Sequence, residues 1–354
     1  MIRNNTQSPA VSGGIAGGGI SVRGSSTAQI IGNVIQNNTW PSGFGGGISL
    51  FGAWSVLIKN NSFIGNTCPN AGTAISMEND VSGTVIVQNV FTGNNSTYGS
   101  AVYWSNPPAA LVNNTITDGP TATPGVSLVV ASGFNPSTVV ANNIFDATNV
   151  GTSGVYCVWS DIANPLNFYH NNVFSKQGPA YGGVCTNQTG SNGNISASSK
   201  FTSTSNLRLK GGSPGIDVGN NSAPSLPSTD YAGNPRIING NGGSMPVIDM
   251  GAYEFVPVVL APKSLSFGLH PVRSTTNKTV KLTNAQNKVL NISSYTVSTG
   301  FSVSGCGSSI AAFTRCTLTV SFHPLTTGTF KGSLMVSDDA GNTPQAVSLS
   351  GSSQ

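Results

Sequence analysis

Apolar and polar positions alternate in short bursts along residues 1–200, and the bursts repeat. The stretch Val56-Leu57-Ile58-Lys59-Asn60-Asn61-Ser62-Phe63-Ile64-Gly65-Asn66 shows the unit: an apolar residue, an Asn three positions on, and a large apolar residue two further. The same skeleton recurs as Ile30/Asn33/Ile35, Ile58/Asn61/Phe63, Ile86/Asn89/Phe91, Leu111/Asn114/Ile116, Val140/Asn143/Phe145 and Tyr169/Asn172/Phe174. With the Asn as marker the steps are 28 (33 to 61), 28 (61 to 89), 25 (89 to 114), 29 (114 to 143) and 29 (143 to 172). A period of this size marks a solenoid, in which no single unit can bury its apolar face alone. Between markers lies a second apolar segment, often led by glycine, as in Gly45-Gly46-Gly47-Ile48-Ser49-Leu50 and at residues 17–22, 73–77, 100–104 and 154–157. Each unit therefore predicts two or three short strands. Gly, Asn and Thr interrupt every apolar run and no helical periodicity appears, so no helix is expected.

Short parallel strands joined by tight turns close as a β-helix. About seven coils of ~28 residues, each rising about 4.8 Å, span on the order of 34 Å. The marker Asn suits a sharp corner, because Asn tolerates the left-handed backbone region that β-branched residues avoid. Its amide carries donors and an acceptor, so Asn stacked on Asn forms a ladder along the axis. Ile2-Arg3-Asn4-Asn5 reads like Ile58-Lys59-Asn60-Asn61, with Asn5 lying 28 residues before Asn33. The chain is thus expected to start inside a repeat, with further rungs and any export signal upstream. The pattern resembles the right-handed parallel β-helix proteins, a superfamily that includes pectate lyases, polygalacturonases, phage tailspikes and many bacterial surface proteins. That resemblance covers roughly residues 1–256 and implies the fold, not an activity.

The period breaks after residue 190. Ser213-Pro214-Gly215-Ile216-Asp217-Val218-Gly219, Asp230-Tyr231-Ala232-Gly233-Asn234-Pro235-Arg236 and Ile248-Asp249-Met250-Gly251-Ala252-Tyr253-Glu254 follow in order. This succession resembles the choice-of-anchor Q segment that closes many bacterial β-helix proteins. Ser198-Ser199-Lys200-Phe201 departs from the Asp-Pro-Leu-Phe common there. Asp217, Asp230, Asp249 and Glu254, with Arg236, are the densest polar cluster in the chain. A calcium or active site is the sharp reading; a hydrogen-bonded cap sealing the open coil end is the preferred one.

Beyond the proline-bracketed Val256-Pro257-Val258-Val259-Leu260-Ala261-Pro262, alternating runs continue from Ser264-Leu265-Ser266-Phe267 to Ala346-Val347-Ser348-Leu349. Seven such runs predict an immunoglobulin-like β-sandwich. Leu265-Ser266-Phe267-Gly268, Leu282-Thr283-Asn284, Cys316-Thr317-Leu318-Thr319-Val320-Ser321-Phe322-His323-Pro324 and Leu349-Ser350-Gly351 resemble the choice-of-anchor D domain, a relative of the ASH (Hydin-type) Ig-like modules. The resemblance covers about residues 260–351 and implies a spacer or adhesion module. The expected organisation is coils over 1–200, a closing segment over 201–256 and the sandwich over 257–354: an all-β chain.

Composition narrows the function classes. Only 7% of residues are charged, against 44 glycines. Such sparse charge suggests disorder or a fibre, yet the periodic Val, Ile and Phe columns supply a face to bury. No apolar run is long enough to span a membrane. Residues 1–256 carry eight Lys/Arg against nine Asp/Glu, a balance of −1; residues 257–354 carry seven against two, a balance of +5. That bias favours at most an anionic envelope or polymer, and no nucleic-acid-binding motif is present. Of the five cysteines, Cys157 and Cys185 lie 28 apart, about one coil, so they are expected to pair on neighbouring rungs; two buried free thiols are the alternative. Cys306 and Cys316 are expected to pair within the sandwich, leaving Cys68 over and pointing to an oxidising, extracellular compartment. No Cys or His spacing suggests zinc, and His270 and His323 read as surface or packing residues.

Catalytic β-helix proteins cluster carboxylates on one face, to hold Ca²⁺ or to act as acid and base. Here the repeats hold only Glu78, Asp80, Asp118, Asp146 and Asp161. One period back from Glu78 and Asp80 stand Phe51 and Ala53; one period on stand Ser105 and Pro107. No second carboxylate rung forms, so neither catalytic residues nor a metal or cofactor is expected. Phe51, Trp54, Trp104 and Trp159 follow the glycine-led strand on different coils and are the candidate glycan-stacking row, with packed tryptophans as the alternative. The expected protein is a monomeric, non-catalytic, exported bacterial cell-surface, stalk or adhesion protein that contacts a polysaccharide or envelope glycan. A polysaccharide lyase or glycoside hydrolase is the rival reading.

Overall fold

The computed structural model describes residues 1–6, 17–79, 81–96, 100–117, 126–131, 137–147, 153–162 and 167–354. The chain separates into two compact units. The first comprises Met1–Leu209, Ser213–Ile237 and Val247–Glu254; the second comprises Lys210–Gly212, Ile238–Pro246 and Phe255–Gln354. Parts of the closing segment thus belong to each.

The first unit is a β-helix with three parallel sheets. Sheet 1 stacks Ile2–Arg3, Val34–Gln36, Ser62–Ile64, Val90–Thr92, Thr115–Thr117, Ile144–Ala147 and Asn172–Ser175. Sheet 2 stacks Ile20–Arg23, Ile48–Phe51, Ile75–Glu78, Ser100–Trp104, Val126–Val130, Ser153–Cys157 and Tyr181–Gly183. Sheet 3 stacks Thr27–Ile31, Ser55–Lys59, Val85–Val87, Ala110–Val112, Val139–Ala141 and Phe168–Tyr169. Each coil visits sheet 2, sheet 3 and sheet 1 in turn. Inward side chains fall in register, so Ile58, Ile86, Leu111 and Val140 form one buried column. Phe63 and Phe91 stack in another, with ring centroids 4.6 Å apart. No helix occurs among the described residues, and none there is long and apolar enough to cross a membrane.

Two asparagine ladders hold the corners. At the corner between sheets 3 and 1, Asn61 donates both its backbone N–H (2.8 Å) and its amide (3.0 Å) to Asn89 Oδ1 on the next coil. The same double bond runs from Asn89 to Asn114, from Asn114 to Asn143, from Asn143 to Asn171 and from Asn171 to Asn194. Each amide also donates to a carbonyl of the preceding coil, as Asn61 does to Ile30 O at 2.7 Å. A buried amide so fully engaged stabilises the stack rather than costing desolvation.

Three expectations about this corner need correction. The left-handed residue is the one before the marker: Asn60 (φ 55°), Gln88 (φ 57°), Asn113 (φ 53°), Asn142 (φ 57°) and His170 (φ 49°). The marker itself turns inward and carries the ladder. In the last coil the ladder passes through Asn171, not Asn172, whose side chain points outward to Ala197 O and Ser199 Oγ. Finally, Ile2 and Arg3 pair with Ile35 and Gln36, and Asn5 joins Asn38, Asn66 and Asn94 in a second ladder at the corner after sheet 1. Both corners read apolar-x-x-Asn, which is why residues 2–5 match either one.

The second unit is a β-sandwich. One sheet orders Val258–Ala261, Thr276–Asn284, Arg315–Phe322 and Phe301–Ser304; the other orders Ser264–His270, Gln345–Ser353, Gly328–Asp338, Leu290–Val297 and Ser309–Ile310. Val280, Leu282, Leu318, Val320, Leu334, Val336, Val347 and Leu349 alternate inward to build its core. Phe322 sits at the centre of an aromatic cluster with Phe267, Phe301 and Phe330.

Candidate binding groove

Outward positions of sheet 3 should be polar throughout if they faced only water, yet many are apolar. Leu57, Val85, Ala110 and Val139 form one row, while Val87, Val112 and Ala141 form the next. Part of this face is covered by the chain itself: Ala223 and Leu226 pack on it. The rest lies open as two adjoining cavities of about 290 Å³ each. Thr27, Ala28 and Gln29 line the first; Lys59, Gly83, Val85, Val87 and Ser225 line the second; Ser55 and Leu57 line both. The groove thus has an apolar floor, hydroxyl and amide edges, one ammonium, and no carboxylate among its described lining.

The four aromatic candidates do not form a row. Trp54 is 59% exposed and immediately precedes Ser55 at the groove. Phe51 is half-buried at the end of its sheet 2 strand, three residues earlier. Trp104 is 0% exposed and packs inside the coil, so it cannot stack on a ligand. Its position ends an inward-facing register, with Met77 and Val130 as neighbours. Trp159 is 76% exposed but lies four coils from Trp54, roughly 19 Å along the axis. Sequence reasoning missed Leu57, Lys59, Val85 and Gln29; the available signal was apolar residues at outward positions of consecutive coils.

Both expected disulfides form. Cys157, at the end of its strand, bridges to Cys185, two residues past the neighbouring strand Tyr181–Gly183, with Cα atoms 5.1 Å apart, and Cys306 and Cys316 join at 5.8 Å. Cys68 is buried against Trp40. Among the acids, Asp80 and Asp118 lie outside the described residues. Glu78 is half-buried, and desolvation raises its pKa. Asp161 accepts Ile162 N (2.7 Å), Thr186 N (2.7 Å) and Thr186 Oγ1, tying two loops together. Asp146 is buried and accepts Ser199 N at 3.2 Å. His270 bonds Phe267 O and Thr276 Oγ1, and His323 bonds Thr275 Oγ1.

The polar cluster of the closing segment is structural in a way the sequence did not indicate. Arg236 is 2% exposed and donates to the carbonyls of Ala252 (3.1 Å) and Gly251, with Glu254 Oε1 3.3 Å from its Nε. Glu254 accepts Asp249 N, while Asp230 accepts Glu254 N and the N–H groups of Ala232 and Asn234. Burial, reinforced by the Asp249 carboxylate, pushes the Glu254 carboxyl upward, and the Arg236 guanidinium opposes it. The cluster does not seal the coil end. Asn194 finishes the ladder, and the chain beyond it turns back along the side of the solenoid.

This side clasp grips the outward residues of the ladder corner. Gln88 donates to Thr229 O (2.8 Å), and Asn113 donates to Asp249 O and Gly251 O (both 3.1 Å). Asn142 donates to Asn220 O (3.0 Å) and accepts Asn220 N (2.8 Å). His170 Nδ1 bonds Val218 O (2.7 Å), and Thr115 Oγ1 accepts Ala252 N (2.9 Å).

A protein-family profile described as the right-handed β-helix region matches residues 18–201, which is 184 (201 − 18 + 1) of the 354 residues. The chain belongs to that right-handed β-helix family. Residues 257–346, within the sandwich, match the ASH (abnormal spindle-like microcephaly-associated, ASPM-SPD-2-Hydin) domain. A comparison with functionally curated proteins found no match. Similar solved structures include a protein of unknown function from Porphyromonas gingivalis W83, at 12% identity and TM-score 0.25, covering 27% of this chain and 46% of that one. The ASH/PapD-like domain 7 of human CEP192 matches at 17% identity and TM-score 0.24, covering 28% and 85%. The VesB protease of Vibrio cholerae matches at 14% identity and TM-score 0.23, covering 34% and 42%.

Proposed function

We propose that this is a non-catalytic, exported bacterial cell-surface or adhesion protein whose solenoid contacts a glycan, with the sandwich as a spacer. The observation that carries the reading is the open groove on sheet 3 beside Trp54. A sugar ring offers an apolar face and a rim of hydroxyls. Leu57 and Val85 supply the floor for the former, and Ser55, Thr27, Gln29 and Lys59 supply partners for the latter. Hydrolysis of a glycosidic bond canonically uses two carboxyl groups flanking it, and lyases use carboxylates to hold Ca²⁺; the described groove walls carry none. The two disulfides support an oxidising compartment.

Calorimetric titration of the intact chain with neutral and acidic polysaccharides tests the reading. Binding to at least one, weakened about tenfold or more by Trp54→Ala or Leu57→Ser, is the expected result. Affinity indifferent to both substitutions would remove the groove from the account. Depolymerisation of any polysaccharide in the panel would replace binding with the lyase or hydrolase reading.

A further inference from the structure

Trp54 and Trp159 stand at the same corner of the solenoid. Trp54 lies in the connection from Ile48–Phe51 to Ser55–Lys59, and Trp159 in the connection from Ser153–Cys157 to Phe168–Tyr169. Both connections lead from sheet 2 to sheet 3, four coils apart. We propose that the two indoles are paired platforms for one extended glycan chain, which lies along the solenoid axis and spans the roughly 19 Å between them. The inference rests on the glycan reading above and adds the form of the ligand: a polymer, not a mono- or disaccharide.

One exposed tryptophan needs no explanation, because lone apolar residues are common on protein surfaces. Trp159 differs in how it is held. Two residues before it, Cys157 is bonded to Cys185; two residues after it, Asp161 accepts Ile162 N, Thr186 N and Thr186 Oγ1. Ile162 is buried in the coil interior. The loop is thus fixed on both sides while its indole stays open to solvent. Trp54 is braced in a similar way: Ala53 before it is fully buried, its own carbonyl accepts Gly83 N at 3.0 Å, and Ser55 after it starts a strand. Holding an aromatic face still in advance removes an ordering cost that a mobile loop would incur on binding. Midway between the platforms, the same corner carries Ser105 and the exposed Asn106, after the strand Ser100–Trp104. Their hydroxyl and amide suit the polar rim of a sugar chain passing from one indole to the other. Stacking on a single ring is weak. A second contact made by the same molecule is intramolecular, so a chain long enough to reach both platforms gains affinity with no new kind of contact.

Calorimetric titration of the full chain with cello-, chito- and galacturonan oligosaccharides, from dimer to octamer, reads the pairing. In a series that binds, the octamer should bind at least about tenfold tighter than the dimer. Trp159→Ala, a substitution at an exposed ring, should abolish that gain and leave dimer affinity within about twofold of the intact chain. Trp159→Phe keeps an aromatic face and should retain most of the gain. Trp54→Ala should weaken dimer and octamer alike. Equal affinity for dimer and octamer would overturn the paired platforms. So would a length gain that survives Trp159→Ala, since it would reflect only the number of registers a longer chain offers. Either result leaves the groove reading in place if Trp54→Ala still weakens the dimer. Failure of every oligomer in all three series to bind would overturn the glycan reading and the paired platforms together.

Discussion

Replacing Asn114 by alanine strikes the inner ladder at its middle. Asn114 Oδ1 accepts Asn89 N (2.9 Å) and Asn89 Nδ2 (3.0 Å), while Asn114 Nδ2 donates to Ile86 O (2.9 Å), Val112 O (3.1 Å) and Asn143 Oδ1 (3.1 Å). After truncation the Asn89 amide nitrogen keeps Ile58 O and Val87 O, and Asn143 Oδ1 keeps Asn114 N. The Asn89 backbone N–H, at a fully buried residue, loses the acceptor that held it. A buried donor left without a partner costs about 1–3 kcal/mol, and the weakened remaining bonds add to this, giving about 3–5 kcal/mol for the substitution. Asn33→Ala is the control. Its side chain lies toward the ladder's first rung and donates at an exposed site to Ile31 O, so its loss should cost under about 1 kcal/mol. Tryptophan fluorescence isolates the measurement, because Trp40, Trp54, Trp104 and Trp159 all belong to the first unit. Guanidinium unfolding of both variants should separate them by at least about 2 kcal/mol. A difference within about 1 kcal/mol would refute the claim that the ladder's worth resides in buried, mutually dependent amides.

Two further outcomes follow from the thiol and the acid loop. Burial pushes the Cys68 thiol up to about 12, against the pull of nearby backbone N–H groups, so it should resist alkylation at neutral pH until the solenoid opens; rapid labelling of the native chain would contradict this. Burial alone would raise the Asp161 pKa, but bonds from Thr186 and Ile162 outweigh it and leave the carboxyl below its usual 3.8. The stabilisation it gives is present above that value and lost as pH falls through the lowered one, so Thr186 amide protection should persist as pH falls through 3.8 and weaken only in stronger acid; protection lost already at 3.8 would count against the tie.

The solenoid was legible because burial imposes a period that survives variation. Ile58, Ile86 and Leu111 must all point inward, and the chain records that requirement at fixed steps. Which of two adjacent asparagines turns the corner was not legible. Asn60 and Asn61 are chemically identical, and only the direction of the side chain separates the left-handed residue from the ladder residue. The Ile2 register failed for a related reason, since both corners carry the same short pattern. Trp104 was misplaced because a tryptophan after a strand looks alike whether the strand's last residue faces in or out; its pairing with Met77 and Val130 decides it. The groove was hidden because Leu57 and Val85 look like core residues until sheet 3 is assembled. The acidic cluster announced a structural element, but its seat on the flank depended on contacts with residues more than a hundred positions earlier, such as Asn113 with Gly251 at a separation of 138.

The ladder spacings carry one more consequence. Successive inner-ladder partners are 28, 25, 29, 28 and 23 residues apart, yet each makes the same double bond. The corner fixes geometry while the rest of the coil is free to change length. A gene segment running from one ladder asparagine to another is therefore a self-contained cassette. Ahead of the coils that the clasp grips, duplicating, deleting or exchanging it leaves both junctions in register, so such a protein can lengthen by copying itself and can vary its surface loops one coil at a time.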